Sequence, residues 1–549
     1  MSLPLPSGRR TALIALSASA VAGSLVLAMG TNATAAPTAK DAGSTLNSAN
    51  GVLLPGHLVL SRTVYSAKPD SITPGVTMLP AGCVGSACVP AVADGGYPEV
   101  FNNEAVDPSF GITSPIYLDT ITPSGNTMGT VDVPTDVNGD HLVTSFPSKS
   151  ELGLNLSTDG KAVTFMGYVA PTNSADVSNS NTPLVPDATN PVGISDYRAI
   201  AELKANGTMS FTETNAYSGN NGRAAILDSA DNEFFMSGNA GNGGNPQPAG
   251  VVGGAGAQMT TPSTLPEAAQ NPGMPTPAGS FSITELGDKA DKVGKDTNFR
   301  GLTIHDNVVY LTKGSGGNGI NTVYYIDTTG SCHNGVGIPD VNAKLPTTPL
   351  PYDPSTVSST GVQPYNMCVL KGFPTTLAKT STAFPFGVWF ANDTTMYVAD
   401  EGDGTNTYDP TTGTYTTAAA STSAGLQKWV LQNGSWKLAY TIQNGLNLGT
   451  PYSVTGYPTG NNSATGLPWA PATDGLRNLT GKVDANGTVS IWAITSTVSG
   501  ATDEGADPNR LVRVTDSLGA TTPAGDKFQT LRTAASGEAL RGIVYVPGN

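Results

Sequence analysis

The chain has 549 residues, with 27 Lys and Arg against 42 Asp and Glu and a formal net charge of −15. That balance argues against a nucleic-acid partner, because neutralising phosphates takes a basic surface. A hydrophobic fraction of 38% excludes wholesale disorder, and 65 glycines with 41 prolines predict many turns.

Residues 1–36 carry Arg9 and Arg10, an apolar run, then the small residues ATAAP. This pattern predicts a secretory signal peptide cut near Ala36, by either the general or the twin-arginine route, with no membrane span left after cleavage. Residues 37–51 read as a flexible lead-in, and residues 52–549 as one domain. The four cysteines form two local pairs, Cys83 with Cys88 and Cys332 with Cys368. In an oxidising compartment these predict two disulfides; isolated His333 beside Cys332 is a poor metal pattern.

Short β-branched and aromatic runs alternate with Gly, Pro, Asn, Asp, Ser and Thr clusters throughout, which predicts an all-β chain. One pattern recurs. GRAAILDSADNEFFMSGNAG begins at Gly222, RGLTIHDNVVYLTKG at Arg300, FGVWFANDTTMYVADEG at Phe386 and LRNLTGKVDANGTVSIWAITS at Leu476, and the chain ends on LRGIVYVPGN. Each full copy reads strand, polar turn, strand, loop, with two further strands behind it. A four-stranded meander cannot bury both faces alone, whereas several packed radially can. We therefore expect a single β-propeller. Units fall over 106–149, 151–216, 222–285, 299–376, 384–446 and 475–533, and a seventh blade is split between GHLVLSRTVYSA at Gly56 and LRGIVYVPGN, which closes the ring. Six or eight blades remain open. Insertions near 239–280 and 408–424 read as exposed loops. Gly314, Gly316 and Gly319 match a dinucleotide fingerprint, but a strand follows them, so no helix N-terminus receives a phosphate.

MYVADEGDG and the terminal blades resemble secreted bacterial β-propeller proteins with NHL- or YVTN-like blades and poorly defined activity. The resemblance implies architecture; such scaffolds host lactonases, lyases and binding modules alike.

Propeller geometry gathers the starts of innermost strands and the ends of second strands on one face. Arg300, Arg477, Arg541 and Arg223 fall there, with Lys313. A guanidinium cluster suits carboxylate, sulfate or phosphate; the plainer reading pairs each arginine with an acid such as Asp474, Glu538 or Asp400. The acidic loops at Asp400, Glu401 and Asp403 and at Asp503 and Glu504 are candidate calcium ligands, or solvated turns. DVNGDH at Asp136 has Asp and Asn spaced as in calcium loops but His141 where Gly is needed, so a plain turn is preferred. STDGKAVTF at Ser157 is superficially like a sialidase Asp-box without its tryptophan. His305 reads as a turn residue on the opposite face. Neither G-x-S-x-G nor H-E-x-x-H occurs. The expectation is an exported monomer that binds an extracellular small molecule, glycan or envelope protein without chemistry of its own. The alternative is a hydrolase or lyase of a polysaccharide, ester or lactone, acting through an arginine–carboxylate or calcium site.

Overall fold

The computed structural model describes residues 52–65, 111–133, 142–187, 195–241, 297–347, 367–501, 505–523 and 525–548, with shorter runs between 73 and 90 and between 246 and 290. The signal and lead-in segments, Cys83, Cys88, Asp136, His141, Asp503 and Glu504 lie outside the described residues.

The chain is all-β. Among the described residues, regular helix is limited to Thr416–Ala420 and two 3-10 turns. Local chemistry makes the hairpins. Asp306 and Asn307 both take positive φ between Leu302–His305 and Val308–Lys313, and Asn433 and Gly434 do the same between Gly425–Gln432 and Ser435–Ile442. Two consecutive left-handed residues suit the twist of a two-residue hairpin, and Asn, Asp and Gly adopt that conformation most readily.

Four sheets are meanders of propeller-blade type, antiparallel except that in the second the short strand Val336–Gly337 pairs parallel with Met367–Leu370. They run Gly222–Asp228 to Gly279–Phe281, Leu302–His305 to Met367–Leu370, Pro385–Asn392 to Ser435–Ile442, and Ala472–Val483 to Gln529–Thr533. The remainder is a nine-stranded sheet that contains two further four-strand runs. In the first, Glu538–Tyr545 pairs with Leu58–Val64, which pairs with Thr113–Ile121 and then Thr127–Asp132. In the second, Asn155–Leu156 leads through Ala162–Val169 and Arg198–Lys204 to Met209–Thr214. Leu142–Ser145 bridges the two runs.

Closure by strands from both ends is therefore as the sequence suggests, but the count of seven blades is corrected. The 106–149 unit is not a separate sheet: its strands Thr113–Ile121 and Thr127–Asp132 complete the split blade.

The core lies between neighbouring sheets. Leu58, Leu60, Ile121, Trp492, Leu511 and Ile543 form one buried cluster between the closing blade and the blade before it. Each such side chain contributes about 1.5–3 kcal/mol on burial. Charged groups tie the same seam: Arg62 Nε lies 2.8 Å and Arg532 Nη1 2.6 Å from Asp119 Oδ2, and Arg532 Nη2 lies 2.5 Å from Glu538 Oε1. A second buried seam joins the 385–442 and 472–533 sheets. Lys428 Nζ lies 3.2 Å from Asp516, which also accepts hydrogen bonds from the hydroxyls of Tyr397 at 2.5 Å and Tyr440 at 2.8 Å. Cys332 and Cys368 form a disulfide with a Cα–Cα distance of 6.2 Å.

Candidate functional site

The innermost strands of all six four-strand runs surround one axial cavity of about 300 Å³. Each innermost strand pairs with one neighbouring strand along its length, and its other edge borders the axis, where Gly153 bridges to Ala224. The axis narrows at Gly153, Ala224, Gly301, Gly387, Asn478 and Gly542. A Cβ on Gly301 would run into the carbonyl oxygen of Phe386, and one on Gly542 into that of Leu152; glycine is what allows backbones this close. On one side of this constriction lies the cavity, lined by Asn155, Thr303, His305, Trp389, Thr480 and Tyr545. His305 Nε2 lies 3.1 Å from Asp393 Oδ1, and its ring stacks on Phe390.

On the other side stand the arginines. The residues just before the constriction are Leu152, Arg223, Arg300, Phe386, Arg477 and Arg541. The four predicted arginines thus occupy matching positions on four innermost strands. All are buried, at 2–5% exposure. Glu401 bridges two of them: its carboxylate lies 3.2 Å from Arg477 Nε and 3.8 Å from Arg300 Nη2. Burial alone would raise the Glu401 carboxyl, but the charges of Lys149, Arg300 and Arg477 outweigh it and hold the group below its usual range. Arg223 donates to Asn298 Oδ1 and, at 2.8 Å, to the Phe299 carbonyl. Arg300 donates to Ser315 Oγ and Arg541 to the Phe146 carbonyl. Burial, and then the Arg300 charge, pull Arg223 well below the usual arginine range.

A second buried carboxylate, Glu151, serves the same region. It accepts from Tyr168 Oη at 2.6 Å, Thr144 Oγ1 at 2.6 Å, Ser145 N at 2.9 Å and Asn221 Nδ2 at 3.4 Å. Burial, together with the Glu151 charge, pushes the Tyr168 phenol well above its usual range. Leu152, next in the chain, holds a φ of +60°, a strained conformation for a branched side chain.

Other expected site residues go elsewhere. Lys313 is buried in its own loop, its Nζ donating to the carbonyls of Asn318 at 2.6 Å and Ser315 at 3.1 Å. The three acids expected as one calcium loop diverge. Asp400 accepts from the amides of Phe384 and Gly402 and from Gln427. Glu401 turns to the arginines, and Asp403 accepts the amide of Thr405 in its own turn. Among the described residues no three His, Cys, Asp or Glu side chains are placed to hold a metal ion. Asp474 accepts from Gly404 N, and Glu538 pairs with Arg532. Ser157 Oγ donates to Asp159 and accepts from Lys161 N and Ala162 N, which makes the Asp-box-like stretch a hairpin turn.

Sequence reasoning missed Glu151, Tyr168 and Asn298 as neighbours of the arginines. Glu151 lies two residues before Gly153 and Asn298 three before Gly301, so neither chemistry nor a shared position marks them in the sequence.

No protein-family model matches the chain, and no curated protein matches it. Among solved structures, the chain is similar to polysaccharide lyase Uly1, at 10% identity over 71% of this chain and 73% of that one, with a TM-score of 0.29. It is also similar to an ulvan lyase bound to -[GlcA(1-4)Rha3S]-, at 9% identity over 88% and 96%, again with a TM-score of 0.29. Likeness at this level carries no argument about function.

Proposed function

We propose that this protein is an exported β-propeller that binds an extracellular acidic ligand through the arginines on its axis, and does so without altering it. The observation that carries this reading is the sign of the charge. A chain of net charge −15 gathers four guanidinium groups at one buried level, with two carboxylates beside them. A cationic spot in an acidic protein draws anions to itself and away from the rest of the surface. Export is supported by the leader-like first 36 residues and by the Cys332–Cys368 disulfide. Among the described residues no helix is long and apolar enough to cross a membrane.

The test is calorimetric titration of the purified protein with polygalacturonate, dextran sulfate and uncharged dextran. Acidic polymers should bind and dextran should not. Arg300→Ala and Arg477→Ala should each weaken binding about tenfold to a hundredfold, the worth of a charge-assisted hydrogen bond. Each variant leaves Glu401 its other arginine, so melting should change little. A large fall in melting temperature with undiminished binding per folded molecule would make the arginines architectural. The second reading, a lyase or hydrolase, is favoured by one observation: two buried carboxylates and the Tyr168 hydroxyl stand beside the same guanidiniums. Product release from the acidic polymers during these titrations would select it.

A further inference from the structure

We infer that the axial cavity is a binding site for an uncharged saccharide, separate from the arginines. It stands across the glycine constriction from them and does not depend on their role. Residues from all six innermost strands enclose it, and its volume of about 300 Å³ is at the lower end of the range for small-molecule sites. That size suits a mono- or disaccharide.

The lining selects the chemistry. The chain carries 42 Asp and Glu and 27 Lys and Arg, yet none of these is among the described residues that line the cavity. A charged ligand would give up water there and meet no counter-charge. Neutral donors and acceptors are present instead. Thr303, Trp389 and Tyr545 line the cavity, and their hydroxyls and indole N–H make no hydrogen bond to another described residue. Asn155 donates its Nδ2 to the Ala225 carbonyl at 3.1 Å and keeps Oδ1. Thr480 Oγ1 accepts from Tyr545 N at 2.9 Å and keeps its proton. The backbone adds to these. His305 and Val308 close the two-residue turn as a hydrogen-bonded pair, so alternation leaves the amide and carbonyl of Ile304 on the axial edge. Sugar hydroxyls both donate and accept, as this mixed set requires. Two half-buried rings of the lining are also held in place. Tyr545 stacks on Trp492 with ring centroids 5.7 Å apart, and a Cβ on Gly481 would come within 2.7 Å of the Trp389 ring. The electron-rich face of an aromatic ring attracts the C–H face of a sugar, and a wall already ordered has little freedom left to lose on binding.

The experiment titrates the purified protein with glucose, galactose, mannose, rhamnose and xylose, followed by tryptophan fluorescence and calorimetry. Ligands this small predict saturable binding in the millimolar range for at least one of them. Glucuronate and glucosamine, as charged counterparts, should bind at least about tenfold more weakly. Trp389→Phe should lose the fluorescence change, because Trp389 is the one tryptophan among the described lining residues. The Thr303→Val/Tyr545→Phe double variant keeps both side-chain shapes, including the stack on Trp492, and should weaken binding about tenfold. The inference is overturned by no saturable binding of any neutral sugar up to about 50 mM, by equal binding of glucuronate, or by undiminished binding in the double variant. If that variant fails to fold, the comparison of neutral with charged sugars in the unaltered protein still decides. Chain length separates the sources: a trisaccharide that binds tighter than its terminal sugar places the ligand at the end of a polymer, and equal binding places it on a free sugar. A recess bounded by the constriction takes a chain end rather than a chain interior. Dextran is poor in ends, so its silence in the polymer titration is expected here too. Sugar binding should persist when polygalacturonate saturates the protein; displacement would merge the two sites and overturn their separation.

Discussion

At the scale of single residues, Asp400 and Glu401 show how far sequence position and chemistry can part. They are adjacent in the chain and both buried, yet successive side chains of a strand end point to opposite sides. One therefore meets backbone amides and the other meets arginines. The acidic composition of the loop was legible; the direction of each acid was not, because it depends on which atoms the neighbouring blade presents. Asp400 also gives a pH prediction. Burial raises its pKa to about 7 against the pull of the Phe384 and Gly402 amides. The folded state then holds a proton that the unfolded state releases nearer pH 4, so this group's contribution to stability is full below about 4 and is lost as pH rises to about 7. Asp400→Asn should flatten the slope of urea midpoint against pH in that window by up to one proton. An unchanged slope would show that Asp400 titrates as an ordinary carboxyl.

At the scale of elements, hairpins were readable and blade membership was not. Asp306–Asn307 and Asn433–Gly434 announce their turns through residues that tolerate positive φ. Nothing local tells Thr113–Ile121 to pair with Leu58–Val64 across the long 65–112 stretch; that choice is made by burial on both faces of the assembled sheet. The arginine register was legible for a related reason, since Arg followed by Ala, Gly or Asn recurs at four of the six places where an innermost strand reaches the axis. The contact between the 385–442 and 472–533 sheets offers a direct test of how blades cohere. Asp516 sits fully buried among Lys428, Tyr397 and Tyr440. Asp516→Ala takes the acceptor from both hydroxyls and the ion-pair partner from Lys428, whose Nζ keeps the carbonyls of Ser517 and Ala520, and should cost about 3–5 kcal/mol, read as a lower denaturant midpoint. A cost under about 1 kcal/mol would show that the seam is held by its apolar residues alone.

At the scale of the whole molecule, the ring depends on one seam. Leu58 faces Tyr545 and Val64 faces Glu538 in the closing pair, and Arg62, Asp119, Arg532 and Glu538 lock it. Removing residues 37–66 takes out the middle strand of that blade and leaves Glu538–Tyr545 and Thr113–Ile121 with open edges. Open strand edges recruit other chains, so the truncated protein should aggregate, as light scattering or gel filtration would show. A monomer with unchanged melting would refute the seam's importance.

The same pairing sets an order of events. The strand at Leu58 leaves the ribosome long before its partner at Glu538–Tyr545. During synthesis every blade from Asn155 onward can assemble in turn from contiguous chain, while the first strand waits for a partner not yet made. Such a long separation makes the closing contact entropically the most demanding in the fold and a natural final step. The nascent protein therefore carries an incomplete sheet until Glu538–Tyr545 emerges, and whatever keeps the Leu58 strand from pairing elsewhere in the meantime governs the yield of folded molecules.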